Sequence, residues 1–153
     1  MPILHTSRFG LIDYEETAVI HFPAGLPAFE NERQFVALRD PATEPLLFLQ
    51  SLTTASLAFL ALAVQNITVG YHVELSDEDT EILGGPGADA DFEILALITV
   101  SQGGEVSANL QAPVVVHRSS RRAVQSIQFN PAYSTRHTLG DATHPPEESS
   151  PCS

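Results

Sequence analysis

Short apolar runs separated by turn residues recur along the chain, and this spacing is typical of β-strands. Residues 69–75 alternate apolar and polar positions, which predicts a strand with one buried face. Residues 92–100 are nearly all apolar after Glu93, which predicts a central strand buried on both faces. Further strands are predicted at residues 9–13, 18–22, 34–38, 46–52, 57–64, 114–117 and 123–129.

One segment has the pattern of a short helix. Ser76 is a suitable N-cap, and Asp79, three positions later, resembles the acid of a capping box. Ile82 and Leu83 supply an apolar anchor, and the glycines and proline of residues 84–87 end the helix. The acids lack the alternating spacing of a calcium-binding loop, so a capped helix is the better interpretation.

These elements predict the fold class. Many short strands with one or two short helices indicate an all-β protein, and we expect a small closed or nearly closed antiparallel β-barrel. Closure also protects strand edges from pairing with other chains. We expect one such domain over residues 1–139.

Composition changes over residues 140–153, which contain three prolines, three acids and no large apolar side chain. Such a tail buries too little surface to offset its ordering entropy, so we expect it to be disordered. Removing it should leave the melting temperature of the domain unchanged. A fall of several degrees in a thermal melt of the truncated chain would contradict this.

The charge narrows the classes of function. Nineteen acids face seven bases, all of them arginine, giving a net charge of −12. A field of this sign repels nucleic-acid backbones and attracts basic proteins. The lone cysteine, Cys152, forms no disulfide framework. No secretory signal or membrane-length apolar run is visible, so we expect a cytoplasmic protein that binds no membrane.

Acids and bases are also segregated along the chain. Eleven acids and no arginine lie between Asp40 and His117. No acid lies in residues 106–139, where four arginines occur. This pattern predicts an acidic face and a basic edge. Two alternatives remain for the edge: contact with RNA, helped by Phe129 and Tyr133, or pairing with the acidic face of the same molecule.

Catalytic signatures are missing from the sequence. There is no nucleophile elbow, no zinc-protease motif, no phosphate-binding loop and no lysine, and the six histidines are scattered. We therefore expect no enzyme activity, no metal and no cofactor. The alternative is a small β-barrel ligand-binding domain or enzyme that uses a histidine and carboxylates in a cleft.

An ordered set of motifs resembles the FliW family. The first is Phe-Pro-Ala-Gly-Leu-Pro-Ala-Phe-Glu at residues 22–30, which we call the Pro27 loop. The most specific is Asn-Leu-Gln-Ala-Pro at residues 109–113, and a closing Tyr-Ser-Thr-Arg-His-Thr-Leu spans residues 133–139. Phe-Leu-Gln-Ser-Leu at residues 48–52 and the sequence leading into the acidic helix also fit.

The resemblance implies a β-barrel monomer that binds flagellin and the translational repressor CsrA and relieves repression of flagellin translation. From the negative charge we expect no direct contact with nucleic acid. Two positions depart from the family pattern. Ala28 replaces a glycine, so the loop must avoid a positive φ there or accept strain. His117 stands where asparagine is common in the family.

The resemblance and the charge pattern together nominate partner-binding residues. We expect the Pro27 loop and residues 109–113 to support the binding face, with Gly25 and Pro27 fixing a turn and Asn109 and Gln111 bonding backbone groups around it. The full set of candidates is Phe22, Gly25, Pro27, Phe29, Gln50, Asp77, Glu78, Glu81, Asn109, Gln111 and Pro113.

Overall fold

The computed structural model describes residues 2–84 and 91–141 of the chain. Ten strands and one α-helix lie in this part of the molecule. The strands are β1 (Ile3–Thr6), β2 (Gly10–Asp13), β3 (Ile20–His21), β4 (Gln34–Arg39), β5 (Leu47–Ser51), β6 (Ala58–Ala63), β7 (Phe92–Val100), β8 (Glu105–His117), β9 (Arg122–Gln125) and β10 (His137–Asp141). The helix, α1, spans Asp77–Ile82, and 3-10 turns occupy Glu16–Ala18 and Val64–Asn66.

Strands β3 to β9 close into a barrel. The main sheet has the order β10-β8-β7-β6-β5-β4-β3-β9. Because β9 also pairs with β8, the seven strands from β8 to β9 in this order form a closed ring. The neighbours are antiparallel except β3 and β9, which meet in parallel at His21 and Arg122. Strands β1 and β2 form a separate hairpin. The predicted all-β barrel with one or two short helices is confirmed.

The barrel interior is filled by aliphatic side chains and phenylalanine. Alternate residues of each strand point inward, as the period of a strand requires. Phe22 and Phe35 meet edge to face with ring centroids 5.3 Å apart, and both are completely buried. The interior cluster comprises Ile20, Phe22, Leu26, Phe35, Leu47, Leu49, Ala61, Leu95, Val114, Val116 and Ala123.

A second apolar layer covers the outer face of β6, β7 and β8. In β7, Leu95 belongs to the interior cluster, whereas Ala96 and Ile98 belong to a cluster on the outer face. Strand β7 is therefore buried on both faces, as its continuous apolar sequence predicts. Residues after β6, including α1, and residues 133–139 supply the cover. No helix in the described residues is both long enough and apolar enough to cross a bilayer.

Residues 69–75 are the clearest wrong prediction, because they form no strand. Tyr71, Val73 and Leu75 do pack against the outer face of the sheet, so the alternation correctly marks one buried side. The backbone, however, pairs with a side chain. The Gln128 side-chain amide accepts from the Glu74 N–H at 2.8 Å and donates to the Glu74 carbonyl at 3.1 Å. These are the two backbone bonds that a neighbouring strand would otherwise make.

Strand β8 is longer than predicted, because residues 105–113 were not recognised as part of it. Its register with β7 jumps between the pairs Leu97–Asn109 and Leu95–Val114, which marks a large bulge. The Asn109 side chain accepts from the N–H groups of Gln111 at 3.0 Å and Ala112 at 3.1 Å inside that bulge. Before the bulge β8 pairs with β10, and after it β8 pairs with β9.

Other boundaries also move. Strands β1 and β10 were not predicted, residues 18–22 contribute only the two-residue β3, and the β9 ladder ends at Gln125 rather than at residue 129. Strand β10 reaches Asp141, two residues past the expected end of the domain, so the truncated chain of the tail experiment should end there. The rest of the expected tail, with Cys152, and most of the glycine-rich stop at residues 84–87 lie outside the described residues.

Tyr71 gives the outer layer a measurable pH dependence. Its hydroxyl donates to the Leu110 carbonyl, and its ring stacks on Tyr133 with centroids 4.3 Å apart. Burial, aided by the neighbouring Tyr133, raises the pKa of Tyr71 from 10.0 to about 12. Below the lower value both the folded and the unfolded chain keep this proton, so Tyr71 adds no pH dependence there. As the pH rises from 10.0 towards about 12, the unfolded chain ionises first and the free energy of unfolding falls.

We expect Tyr71→Phe to lower the free energy of unfolding at neutral pH by about 1 kcal/mol, because the hydrogen bond to Leu110 is lost. The variant should also lose the alkaline decrease that belongs to Tyr71. Urea unfolding at a series of pH values measures both effects. An alkaline decrease of the same size in Tyr71→Phe would contradict this assignment.

Candidate partner-binding site

The Pro27 loop follows β3 and folds tightly on itself. Gly25 donates its N–H to the Phe22 carbonyl at 2.9 Å, and Phe29 donates to the Leu26 carbonyl at 2.7 Å. Gly25 has a φ of 70°, and a Cβ added there would lie 2.4 Å from the Glu30 carbonyl oxygen. Only glycine fits at this position, so Gly25 fixes the turn as predicted.

Ala28 carries backbone strain in the same loop. Its φ is 68°, which lies in the left-handed region that favours glycine. Of the two outcomes considered from the sequence, avoiding a positive φ or accepting strain, the loop takes the second. The Ala28 N–H donates to the Glu30 carboxylate at 3.3 Å, which helps to hold this conformation.

Phe29 connects the loop to the barrel interior. Its ring meets Phe59 edge to face at 5.5 Å, and Phe59 contacts Phe35 at 5.9 Å, which in turn contacts Phe22. Phe29 stays 40% exposed, whereas Phe22 is completely buried. Of these two candidates, Phe29 is available to a partner and Phe22 supports the loop from inside.

The exposed side of the loop forms a cleft with α1 and β9. The cleft has a volume of about 340 Å³. It brings together three parts of the chain that are distant in sequence: the Pro27 loop, the acidic helix and the end of β9. Its lining comprises Ala24, Gly25, Leu26, Pro27, Glu30, Glu78, Asp79, Ile82, Val124 and Gln125.

The cleft combines a few apolar side chains with a negative rim. Glu30 lies on the loop side, and Glu78 and Asp79 lie on the helix side. No arginine lines the cleft, so these carboxylates face it without a basic residue among its lining. Asp77 and Glu81 are exposed on the same helix and add to the field without lining the cleft.

A buried polar network fixes the helix side of the cleft. Ser76 caps α1 as predicted, accepting from the Asp79 N–H at 3.0 Å. Asp79 does not close a capping box, because its carboxylate instead accepts from the Ser126 hydroxyl at 2.6 Å. Gln128 donates to the same hydroxyl at 3.1 Å and also binds the backbone of Glu74.

Sequence reasoning did not identify Ser126 and Gln128, which are 1% and 3% exposed. In sequence the predicted strand at residues 123–129 has mixed facing, because Val124 alternates in step with these two polar residues. The available signal was their alternation with Ile127 and Phe129, which places both polar side chains on one side. Because buried polar groups need hydrogen-bond partners, that side had to meet other polar groups.

Residues 109–113 support the cleft from a distance and not by bonding the Pro27 loop. The expected bonds from Asn109 and Gln111 to that turn are not formed, because Asn109 bonds its own bulge. The carbonyls of Gln111 and Pro113 accept from the N–H groups of Gln128 at 2.6 Å and Ser126 at 2.9 Å. The bulge therefore positions the residues that hold α1.

Gln50 is buried in the barrel wall. Its side chain is completely buried, and its Nε2 donates to the carbonyls of Ser51 and Ala55, each at 3.1 Å. It also lies 3.4 Å from the Thr54 carbonyl, so it holds the turn between β5 and β6. Pro113 is likewise buried within β8. Both side chains are buried, so these two candidates contribute to the shape of the barrel and expose no surface of their own.

The basic edge pairs with the acidic face at a single place in the described residues. Arg118 contacts Asp91 at 2.7 Å, and both side chains are at least half exposed. Arg121 instead donates to the Ala18 carbonyl at 2.9 Å. Intramolecular pairing, one of the two alternatives for this edge, thus neutralises little of the acidic surface. No group of three possible metal ligands is assembled within the described residues.

Comparisons with known proteins agree with these features. A sequence profile described as "FliW protein" matches residues 3–139. The flagellar assembly factor FliW of Bacillus subtilis (strain 168) is 32% identical over 139 residues, covering 90% of this chain and 96% of the relative. Its counterpart in Geobacillus sp. (strain WCH70) is 35% identical over 135 residues, covering 88% and 92%. A crystal structure of the flagellar assembly factor FliW superposes with a TM-score of 0.80 at 32% identity, covering 90% and 96%.

The strain at Ala28 predicts a stabilising substitution. Ala28→Gly relieves a left-handed conformation that costs an L-residue about 1–2 kcal/mol. Part of that gain is lost because glycine makes the unfolded chain more flexible. We expect a net increase of about 0.5–1 kcal/mol in the free energy of unfolding, measured by urea titration.

Ala24→Gly is the matched control, since Ala24 is exposed in the same loop and has no positive φ. This control should lower the free energy of unfolding by about 0.5–1 kcal/mol. Equal losses in the two variants would show that Ala28 is not strained.

Proposed function

The chain belongs to the FliW family of flagellar assembly factors, and from this premise we propose that it binds the translational repressor CsrA and flagellin. While it holds CsrA, repression of flagellin translation is relieved. Flagellin competes for the same protein, so translation of flagellin follows its use in flagellum assembly. The chain acts through protein contacts and uses no cofactor.

The acid-rimmed cleft is the observation that carries this proposal. A repressor that binds RNA must present a basic surface to the phosphate backbone. The cleft presents three carboxylates that such a basic surface can contact. Ile82 and Val124 lie between them as an apolar floor. This combination suits a partner that is attracted by charge and then retained by packing.

The net charge of −12 extends the effect beyond the cleft. Complementary fields raise the rate of encounter, and the interaction weakens as salt increases. Each exposed carboxylate contributes only about 0–1 kcal/mol by itself, so the effect belongs to the group. Short-range apolar contacts, for which Pro27 and Phe29 are exposed, then set the dissociation rate.

The proposal predicts an association-rate defect when the acidic helix is neutralised. In the test variant Asp77, Glu78 and Glu81 are changed to their amides. Asp79 is left intact because it binds Ser126. We expect association with CsrA to slow by roughly three- to tenfold at low salt, with a flatter salt dependence and little change in dissociation rate. Stopped-flow or surface-based kinetics at several salt concentrations measures all three.

A control variant carries the same charge change away from the cleft, at the exposed residues Asp13, Glu44 and Glu105. Its association should slow less, because these residues do not line the docking surface. Circular dichroism verifies that both variants are folded. If the helix variant associates as fast as the unaltered chain at low salt, the partner docks elsewhere.

A further inference from the structure

Residues 126–129 expose two large apolar side chains beside the cleft. Ile127 is 57% exposed and Phe129 is 90% exposed. Their neighbours Ser126 and Gln128 point the other way and are held in the buried network with Asp79. Because that network fixes the rotation of the segment, the outward direction of Ile127 and Phe129 is a property of the fold.

The main chain of the segment is bonded on one side only. The N–H groups of Ser126 and Gln128 donate to Pro113 and Gln111 of β8. The N–H and carbonyl groups of Ile127 and Phe129 have no hydrogen-bond partner among the described residues. These groups, together with the two apolar side chains, form what we call the open edge.

Exposed strand edges in proteins are normally protected against pairing with another chain. Proteins blunt exposed strand edges with charged residues, proline or covering segments, because an unpaired edge is a template for another strand. Residues 123–129 contain neither a charged residue nor proline. Phe129, at 90% exposure, instead presents a large apolar surface at this edge. Surfaces of this kind mark sites of protein interaction.

The open edge continues directly from the cleft. Val124 and Gln125 line the cleft, and the next residues along the chain form the edge. Asp79 lines the cleft and also binds Ser126 at the start of the edge. A peptide segment that pairs with the open edge would therefore have one end beside the carboxylates of the cleft.

We propose that the open edge accepts an extended segment of the basic partner as an added β-strand, with apolar side chains against Ile127 and Phe129 and a lysine or arginine at one end in the cleft. Main-chain hydrogen bonds then supply affinity, and the alternating side chains supply selectivity. Cross-strand apolar pairs add to both. The choice of CsrA as this partner rests on the proposed function.

Residue-resolved amide exchange tests the added strand. In the chain alone, the amides of Ser126 and Gln128 exchange slowly because they are bonded, and those of Ile127 and Phe129 exchange fast. On addition of purified CsrA from the same organism, we expect the Ile127 and Phe129 amides to slow by at least about tenfold. The alternation itself is diagnostic, since general burial slows neighbouring amides without regard to their direction.

A proline variant tests the same bonds by affinity. Ile127→Pro removes an N–H that has no partner in the chain alone, at the place where an edge strand tolerates proline. CsrA should bind about tenfold more weakly, because one main-chain hydrogen bond is lost. Ile127→Val keeps the N–H and should stay within about twofold. Thermal melting confirms that both variants are folded.

The outcomes separate this inference from the function on which it rests. If CsrA binds while the Ile127 and Phe129 amides stay fast, the added strand is wrong and the proposed function stands. If CsrA does not bind at all, the proposed function and the inference fall together. If flagellin slows these amides and CsrA does not, the choice of a basic partner is wrong. Slow amides in the full chain that become fast in a chain ending at Asp141 would identify the chain's own tail as the occupant and overturn the proposal.

Discussion

The closure of the barrel depends on one irregular strand. Strand β8 pairs with β7 on both sides of the bulge at residues 109–113, and its other neighbour changes from β10 to β9 at the same place. The change of neighbour coincides with the interruption of the β7–β8 ladder. Asn109 makes that break stable by bonding the two N–H groups that the bulge leaves unpaired. Strand β9 pairs with β8 beyond the bulge, and this pairing closes the seven-strand ring.

The same bulge sets the geometry of the cleft through a short series of hydrogen bonds. The carbonyls of Gln111 and Pro113 hold the main chain of Gln128 and Ser126. The side chains of those two residues then hold Glu74 and Asp79, and Asp79 belongs to α1. A six-residue helix is too short to be stable by itself, so tertiary contacts must hold α1 in place. The acidic side chains face the Pro27 loop because buried polar groups, and not helix propensity, orient them.

The sequence predicts most of what depends on local pattern and little of what depends on partners distant in the chain. The central strands β4, β5 and β6 were predicted within a residue or two, and Ser76 was correctly identified as the helix cap. Residues 69–75 failed because alternation reports a buried side and does not report whether the backbone partner is a strand or the Gln128 amide. The first half of β8 failed because a bulge resembles a turn in sequence. In the site, the resemblance located the Pro27 loop, the charge pattern located α1, and neither could show that the chain folds them against Val124.

Charge also offers a reason why an unprotected edge can persist in a protein for which we propose a strand-adding partner. An apolar edge without charged residues or proline invites pairing with a second copy. Every copy of this chain carries the same net charge of −12, and the acids of α1 and the Pro27 loop lie beside the edge. Two copies that approach edge to edge therefore bring like charges together, which costs free energy at short range. The basic partner that we propose would meet the opposite sign at the same place. Under the proposed function, the acidic rim would both attract the basic partner and disfavour pairing between copies of the chain, so the edge would need no residue of its own to protect it.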